Sequence, residues 1–255
     1  MVPLVTLAFF LLGTILASFV GVVAGRLYTG QSIISGRSRC DACDAPLLPH
    51  TLVPILSHVF LRGRAFCCGA RLPLISPLSE LLFGGLFVAA YHTLGLTSVL
   101  PLFLAALMLL LALVLYDLAH QILPYALLWP FVCVSAIIGF LSAPSRSAFL
   151  SSLLVAVLLG GSLALIHLFS RGRAMGLADA PLAFGLALLV GPAAFSGFVF
   201  SFWIGAVIGI VLLLRRPPGH RMKVEVPFAP FLAAGFLLAY FTQWNLIALI
   251  AAASL

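Results

Sequence analysis

Residues 99–117 read VLPLFLAALMLLLALVLYD, an unbroken apolar run from Val99 to Tyr116 closed by Asp117. A run of that length is what a helix needs to cross the hydrocarbon core of a bilayer, where every backbone amide and carbonyl must be bonded within the segment. A carboxylate in such a place costs up to roughly 2.5–3.5 kcal/mol at mid-helix and less near the surface. The chain has only six acidic residues: Asp41, Asp44, Glu80, Asp117, Asp179 and Glu225. Asp41, Asp44 and Glu225 fall in polar segments, and Glu80 sits at the start of an apolar one. Asp179 matches Asp117, because it stands at the edge of another apolar run, Ala180–Val190. Two carboxylates in comparable, costly positions read as a pair that works together.

The same pattern extends outward in both directions. Eight apolar runs cover approximately residues 2–24, 78–96, 99–116, 124–141, 149–170, 180–190, 193–214 and 227–253. With 64% hydrophobic residues, 7% charged and a mean hydropathy of +1.26, a water-soluble domain is excluded. The expected fold is all-α: a polytopic membrane helix bundle of about eight spans with a cytosolic cysteine-containing loop domain. Its expected parts are a first span (1–24), the loop domain (25–77) and a transmembrane core (78–255). The sixth run is short and is separated from the seventh by Gly191-Pro192, so a seven-span reading stands beside the eight-span one.

Charge decides the sidedness. With the amino terminus outside, the inner segments 25–77, 117–123, 171–179 and 215–226 hold twelve of the thirteen basic residues, leaving only Arg146 outside. Cytoplasmic loops carry just such an excess of Lys and Arg. Both termini are then outside and loop 25–77 is cytosolic. The formal net charge of +7 reads as topology signal and contact with membrane lipids, not as nucleic-acid binding. The first run lacks a basic start and exceeds the 7–15 residues of a signal-peptide core, so it reads as a retained span.

Four of the five cysteines, Cys40, Cys43, Cys67 and Cys68, gather in the cytosolic loop. The Cys40-x-x-Cys43 spacing lets two thiolates meet one metal, and a second pair some twenty residues on usually completes a Zn²⁺ site. Here the second pair is irregular, with adjacent cysteines after Ala65-Phe66. His50, His58, Asp41 and Asp44 are alternative donors. A disulfide and inert thiols are the other readings, the disulfide being disfavoured in a reducing cytosol. Cys133, inside the fourth run, reads as a packing residue.

The two aspartates fall at the same, cytosolic, membrane face in this topology. If the bundle brings them together, they share a proton. One then takes a proton from water while the other donates to the carbonyl oxygen or the leaving amine, which hydrolyses a peptide bond without a covalent intermediate. Each also has a plainer reading. Asp179 precedes Ala180-Pro181 and suits a helix N-cap with proline in the first turn. Asp117, near a helix C-terminus, opposes the dipole there and has no local role of that kind.

Taken in order, these residues resemble a family. Ser18-Phe19-Val20, Gly25-Arg26-Leu27, Ser38–Cys43, Pro54–Ser57, Arg62-Gly63-Arg64, Ser79–Leu82, Tyr116-Asp117 with Ile122-Leu123-Pro124, Met175–Asp179 and Val226–Leu232 are similar to the motifs of type IV prepilin peptidases. These are the bifunctional leader peptidases and N-methyltransferases of bacterial pilus and type II secretion systems. The resemblance implies an intramembrane aspartyl protease of the inner membrane, multi-pass, with periplasmic termini and Asp117 and Asp179 as the catalytic pair. It implies prepilin or pseudopilin substrates cut at the cytosolic face. It also implies methylation of the new amino terminus with S-adenosylmethionine, although no glycine-rich strand–helix fingerprint locates that cofactor. The chain departs from the family pattern at Ala178, where a second glycine is usual, at Pro181, where a lysine usually follows, and at Ala65, in place of a cysteine. Alanine disfavours positive φ, so Ala178 matters if the turn needs that conformation. The rival classes are a proton- or ion-coupled carrier, whose sites lie near the bilayer midplane in related repeats, and a non-catalytic scaffold.

Overall fold

The computed structural model describes residues 2–29, 32, 38–40, 42–214 and 226–244. Asp41, Glu225, the basic cluster Arg215, Arg216, Arg221 and Lys223, and the expected last span beyond residue 244 lie outside the described residues, as does the side chain of His50. Among the described residues regular structure is helical, apart from two isolated β-bridges. The chain divides into two compact units, Met1–Leu100 and Pro101–Leu255.

The first unit packs α1 (Val2–Arg26) antiparallel against α3 (Ile75–Leu94), with a short helix α2 (Leu56–Phe60) in the polar segment between them. Phe9 stacks on Tyr91 at 4.8 Å near one end. Further along, a side chain at Gly13 would come within 2.7 Å of the Phe83 carbonyl, so the backbones meet there because Gly13 has none. Glu80 is buried in α3, and its Oε2 accepts from the Ile55 N–H at 2.7 Å. Ile55 has φ +60°, ψ −53°, the strained geometry of a γ-turn and an outlier for a β-branched residue. The buried carboxylate therefore holds the loop in a turn that its own sequence resists.

The second unit contains α4 (Val99–His120, its first two residues belonging to the first unit), α5 (Tyr125–Ser142), α6 (Arg146–Ser170), α7 (Asp179–Val190), α8 (Ala194–Leu214) and α9 (Ala229–Thr242). Its core is α7, which is buried nearly all round and packs on α5, α6, α8 and α9. At 12 residues it is about 18 Å long, short of the ~30 Å hydrocarbon core. Gly191, at φ +59°, and Pro192 then reverse the chain into α8. The reversal follows from the neighbours: Leu188 lies against Gly139 late in α5, whereas Phe202 of α8 meets Phe228 at the start of α9. Among the described residues five helical stretches are long and apolar enough to cross a membrane: Val2–Arg26, Val99–His120, Tyr125–Ser142, Arg146–Ser170 and Asp179–Leu214, a run that turns back at Gly191.

Glycines set the helix spacing where α8 and α9 cross. A methyl group on Gly235 would strike the backbone nitrogen and Oγ of Ser201, and one on Gly197 would lie 2.8 Å from the Phe236 Cα. Gly209, by contrast, faces open space. Gly235→Ala is expected to cost about 1–3 kcal/mol through overpacking, read as a lowered thermal midpoint in detergent, while Gly209→Ala leaves the midpoint unchanged or raised.

Candidate active site

Asp117 lies in the last turn of α4. Its carbonyl accepts from the Gln121 N–H at 2.7 Å, and Gln121 at φ +56° ends the helix before Pro124. The side chain turns inward, 5% exposed, and Oδ2 accepts from the Ala229 N–H at 3.2 Å. Ala229 is the first residue of α9, so its amide has no acceptor within that helix. Phe228, at the N-cap, offers no side-chain bond, and Pro230 has no N–H. Asp117 thus caps a helix from a distance of 112 residues along the chain, facing the positive end of its dipole. Phe103 stacks on Tyr240 at 4.9 Å at the other end, which fixes α4 antiparallel to α9.

Asp179 is the first residue of α7 and is 7% exposed. Its Oδ2 reaches back to the Gly176 N–H at 3.2 Å, not forward to the amides of its own helix; the N-cap is Ala178, with no side-chain bond. Gly176 is fitted to this contact, since a side chain there would lie 3.3 Å from the same oxygen. Both carboxylates are buried within the second unit. Each is tied through one oxygen only. Among the described residues the other oxygen of each carboxylate accepts no hydrogen bond. Asp179 is set back from the end of α6: the Ala180 carbonyl faces Gly160, and α6 continues ten residues, roughly 15 Å, beyond it.

Two departures at this turn fall where the backbone tolerates them. Ala178 has φ −70°, ψ −16°, a right-handed conformation that asks nothing of glycine. Pro181 is the third residue of α7, where the missing N–H has no intrahelical role. Two contributors escaped sequence reasoning. One is the Ala229 amide, whose segment Val226–Leu232 carried no chemistry of its own. The other is His167 on α6, whose Nδ1 lies 2.8 Å from the Met175 carbonyl oxygen. A histidine late in an apolar helix was the available signal. His120, by contrast, ends α4 with its ring against Tyr116, centroids 4.4 Å apart.

In the first unit the sulfurs of Cys40, Cys43, Cys67 and Cys68 all lie within 4.8 Å of one another. The Cys43–Cys67, Cys40–Cys68 and Cys67–Cys68 separations are 3.3, 3.8 and 3.9 Å. Tetrahedral Zn–S bonds of 2.3 Å require sulfurs about 3.8 Å apart, so the donor set fits zinc. Two matching turns present them. Cys40 N–H donates to Ala45 and Asp44 N–H to Cys40; Ala65 N–H donates to Ala70 and Gly69 N–H to Ala65. Ala65 therefore occupies the place of Cys40, Cys68 that of Cys43, and Cys67 supplies the sulfur that Ala65 lacks. The amides of Ala42 and then Cys43 hold the Cys40 thiol down at about 7. Hydrogen bonding to Cys43 and then Cys40 pushes Cys67 up to about 12. Four sulfurs this close ionise together only around a cation. Asp44 instead pairs with Arg39 at 2.8 Å, exposed, and His58 lines a separate cavity with Arg62, Arg64 and Arg71. Cys133 is exposed on α5.

Comparison with known proteins meets this geometry. The chain belongs to the type IV leader peptidase family: residues 102–214 match the model of that name, and residues 11–94 match the bacterial peptidase A24 N-terminal domain. It is similar to the prepilin leader peptidase/N-methyltransferase of Bacillus subtilis strain 168, 31% identical across 91% of this chain and 92% of that protein. The proteins of the same name from Myxococcus xanthus and Aeromonas hydrophila are 34% and 32% identical, over 83% and 82% of this chain and 64% and 74% of theirs. No solved structure matches.

Proposed function

We propose that this chain is an intramembrane aspartic endopeptidase that removes the leader from type IV prepilins or pseudopilins at the cytosolic face of the bacterial inner membrane, with Asp117 and Asp179 as its catalytic pair. The observation that carries the reading is the burial of both carboxylates in one bundle, each moored through a single oxygen to a backbone amide. Family membership supports the same chemistry. One carboxylate takes a proton from water as the water oxygen bonds to the scissile carbonyl carbon. The other donates its proton to the carbonyl oxygen. When the C–N bond breaks, a proton passes to the leaving nitrogen.

The topology proposed is eight passes with periplasmic termini and residues 25–77 cytosolic; the reversal at Gly191 gives α7 and α8 the opposite directions this requires. Residues 25–77 form the cysteine module and 78–255 the peptidase core. Cys40, Cys43, Cys67 and Cys68 hold Zn²⁺ as a staple for a segment with little core of its own. The relatives' names also carry an N-methyltransferase activity, so S-adenosylmethionine-dependent methylation of the new amino terminus is proposed. The described residues contain no strand–glycine–helix cradle for that cofactor. Membrane lipids are the remaining partners, and nucleic acid is not one. The carrier and scaffold readings are not favoured by this family membership.

Membranes containing the chain, incubated with a prepilin and analysed by mass spectrometry of the mature amino terminus, report cleavage and methylation together. Asp117→Asn and Asp179→Asn are each expected to lower cleavage by at least about 10³-fold, and uncut substrate with the parent chain would overturn the proposal. In the same assay Ala178→Gly is expected to change the rate by less than about threefold, since its φ already suits alanine. Metal analysis of purified protein is expected to find one zinc per chain. Cys67→Ser should deplete it as thoroughly as Cys68→Ser, because neither turn has a spare sulfur.

A further inference from the structure

We propose that His167 is a positioning residue for Asp179, acting through the single peptide group between Met175 and Gly176. A carbonyl oxygen only accepts, so the 2.8 Å contact to Met175 places a proton on His167 Nδ1. The carbonyl of Met175 and the N–H of Gly176 belong to the same planar trans peptide and point in opposite directions. One end of this plane receives His167, and the other donates to Asp179 Oδ2 at 3.2 Å. Rotating the plane breaks both bonds, so the histidine fixes the direction from which Asp179 is held. The two bonds also polarise one another through the amide.

His167 grips the segment at its start as well. Its carbonyl accepts from the Gly172 N–H at 2.9 Å, and Gly172, at φ +75°, tucks under the ring, where a side chain would come within 3.2 Å of Cε1. The segment from α6 to α7 is thus clasped at both ends by one side chain and its own backbone. Asp179 is the titratable group that α7 presents to this ring, α8 carries none, and Arg171 and Arg173 lie exposed on the segment itself.

The inference rests on Asp179 being catalytic. Asparagine carries an N–H at the same number of bonds from Cα as Nδ1, and leucine has nearly its shape without a donor. His167→Asn and His167→Leu lose the ring equally and have nearly the same shape, and only asparagine keeps an N–H at that position. In leader-cleavage kinetics His167→Asn is expected to keep kcat within about threefold of the parent, and His167→Leu to fall tenfold or more, with KM unchanged in both. If the leucine protein does not accumulate in membranes, His167→Phe, which keeps ring volume without a donor, takes its place. Equal kcat in the asparagine and donorless variants overturns the role of His167. If the parent cuts and Asp179→Asn does not, that failure belongs to this inference alone. A parent that does not cut, or an active Asp179→Asn, sinks the catalytic reading and this one together.

Discussion

A carboxylate inside an apolar helix bundle has to be met by hydrogen-bond donors, or its burial costs several kcal/mol. Asp117 and Asp179 are met by the cheapest donors a bundle offers, amides that regular helix bonding leaves over. For Asp117 this is the first amide of α9, and for Asp179 the Gly176 amide in the return from α6. Among the described residues no arginine or lysine bonds either side chain. The position of α9, the shape of the 171–178 segment and the shortness of α7 all serve these two bonds.

The short helix is the clearest case. α7 starts at Asp179, set back from the end of α6, and turns at Gly191 after about 18 Å. Because it is surrounded, it needs no polar face, and its Ala and Leu side chains are buried on every side. Close approach then falls to glycines on its neighbours: Gly160 against the Ala180 carbonyl and Gly139 against Leu188. Without a hydrophobic drive between helices in lipid, such backbone contact is what holds a bundle together. The same economy recurs in the first unit at Gly13 and Gly84.

Much of this was legible in the chain. Apolar runs located the helices to within a few residues, because a membrane span must be continuous and uncharged; the last is the exception, since its helix ends at Thr242 where the run continues to residue 253. Asp117 and Asp179 stood out because acidic residues are so few. What stayed hidden were contacts carried by backbone. Nothing about Ala229 announces that its amide serves a side chain 112 positions away. Cys67 looked like an irregularity because spacing alone does not show that two loops repeat one turn, with Ala65 in the place of Cys40. Glu80 likewise bonds a backbone amide, that of Ile55, which its own neighbours in the sequence do not announce.

Departures from a family pattern weigh differently once the backbone is known. Glycine is favoured where φ is positive and is hardest to replace where another group comes near its Cα. Ala178 meets neither condition by conformation, at φ −70°, while Gly176 two residues earlier has the Asp179 carboxylate pressed against its open face. Of the two small residues in Gly176-Leu177-Ala178-Asp179, the first is therefore constrained by the site and the second is not. Pro181 follows the same logic, since the first turn of a helix is where a lost N–H costs least. At this turn the chain has alanine where φ suits it, and glycine where a side chain would lie 3.3 Å from the Asp179 carboxylate.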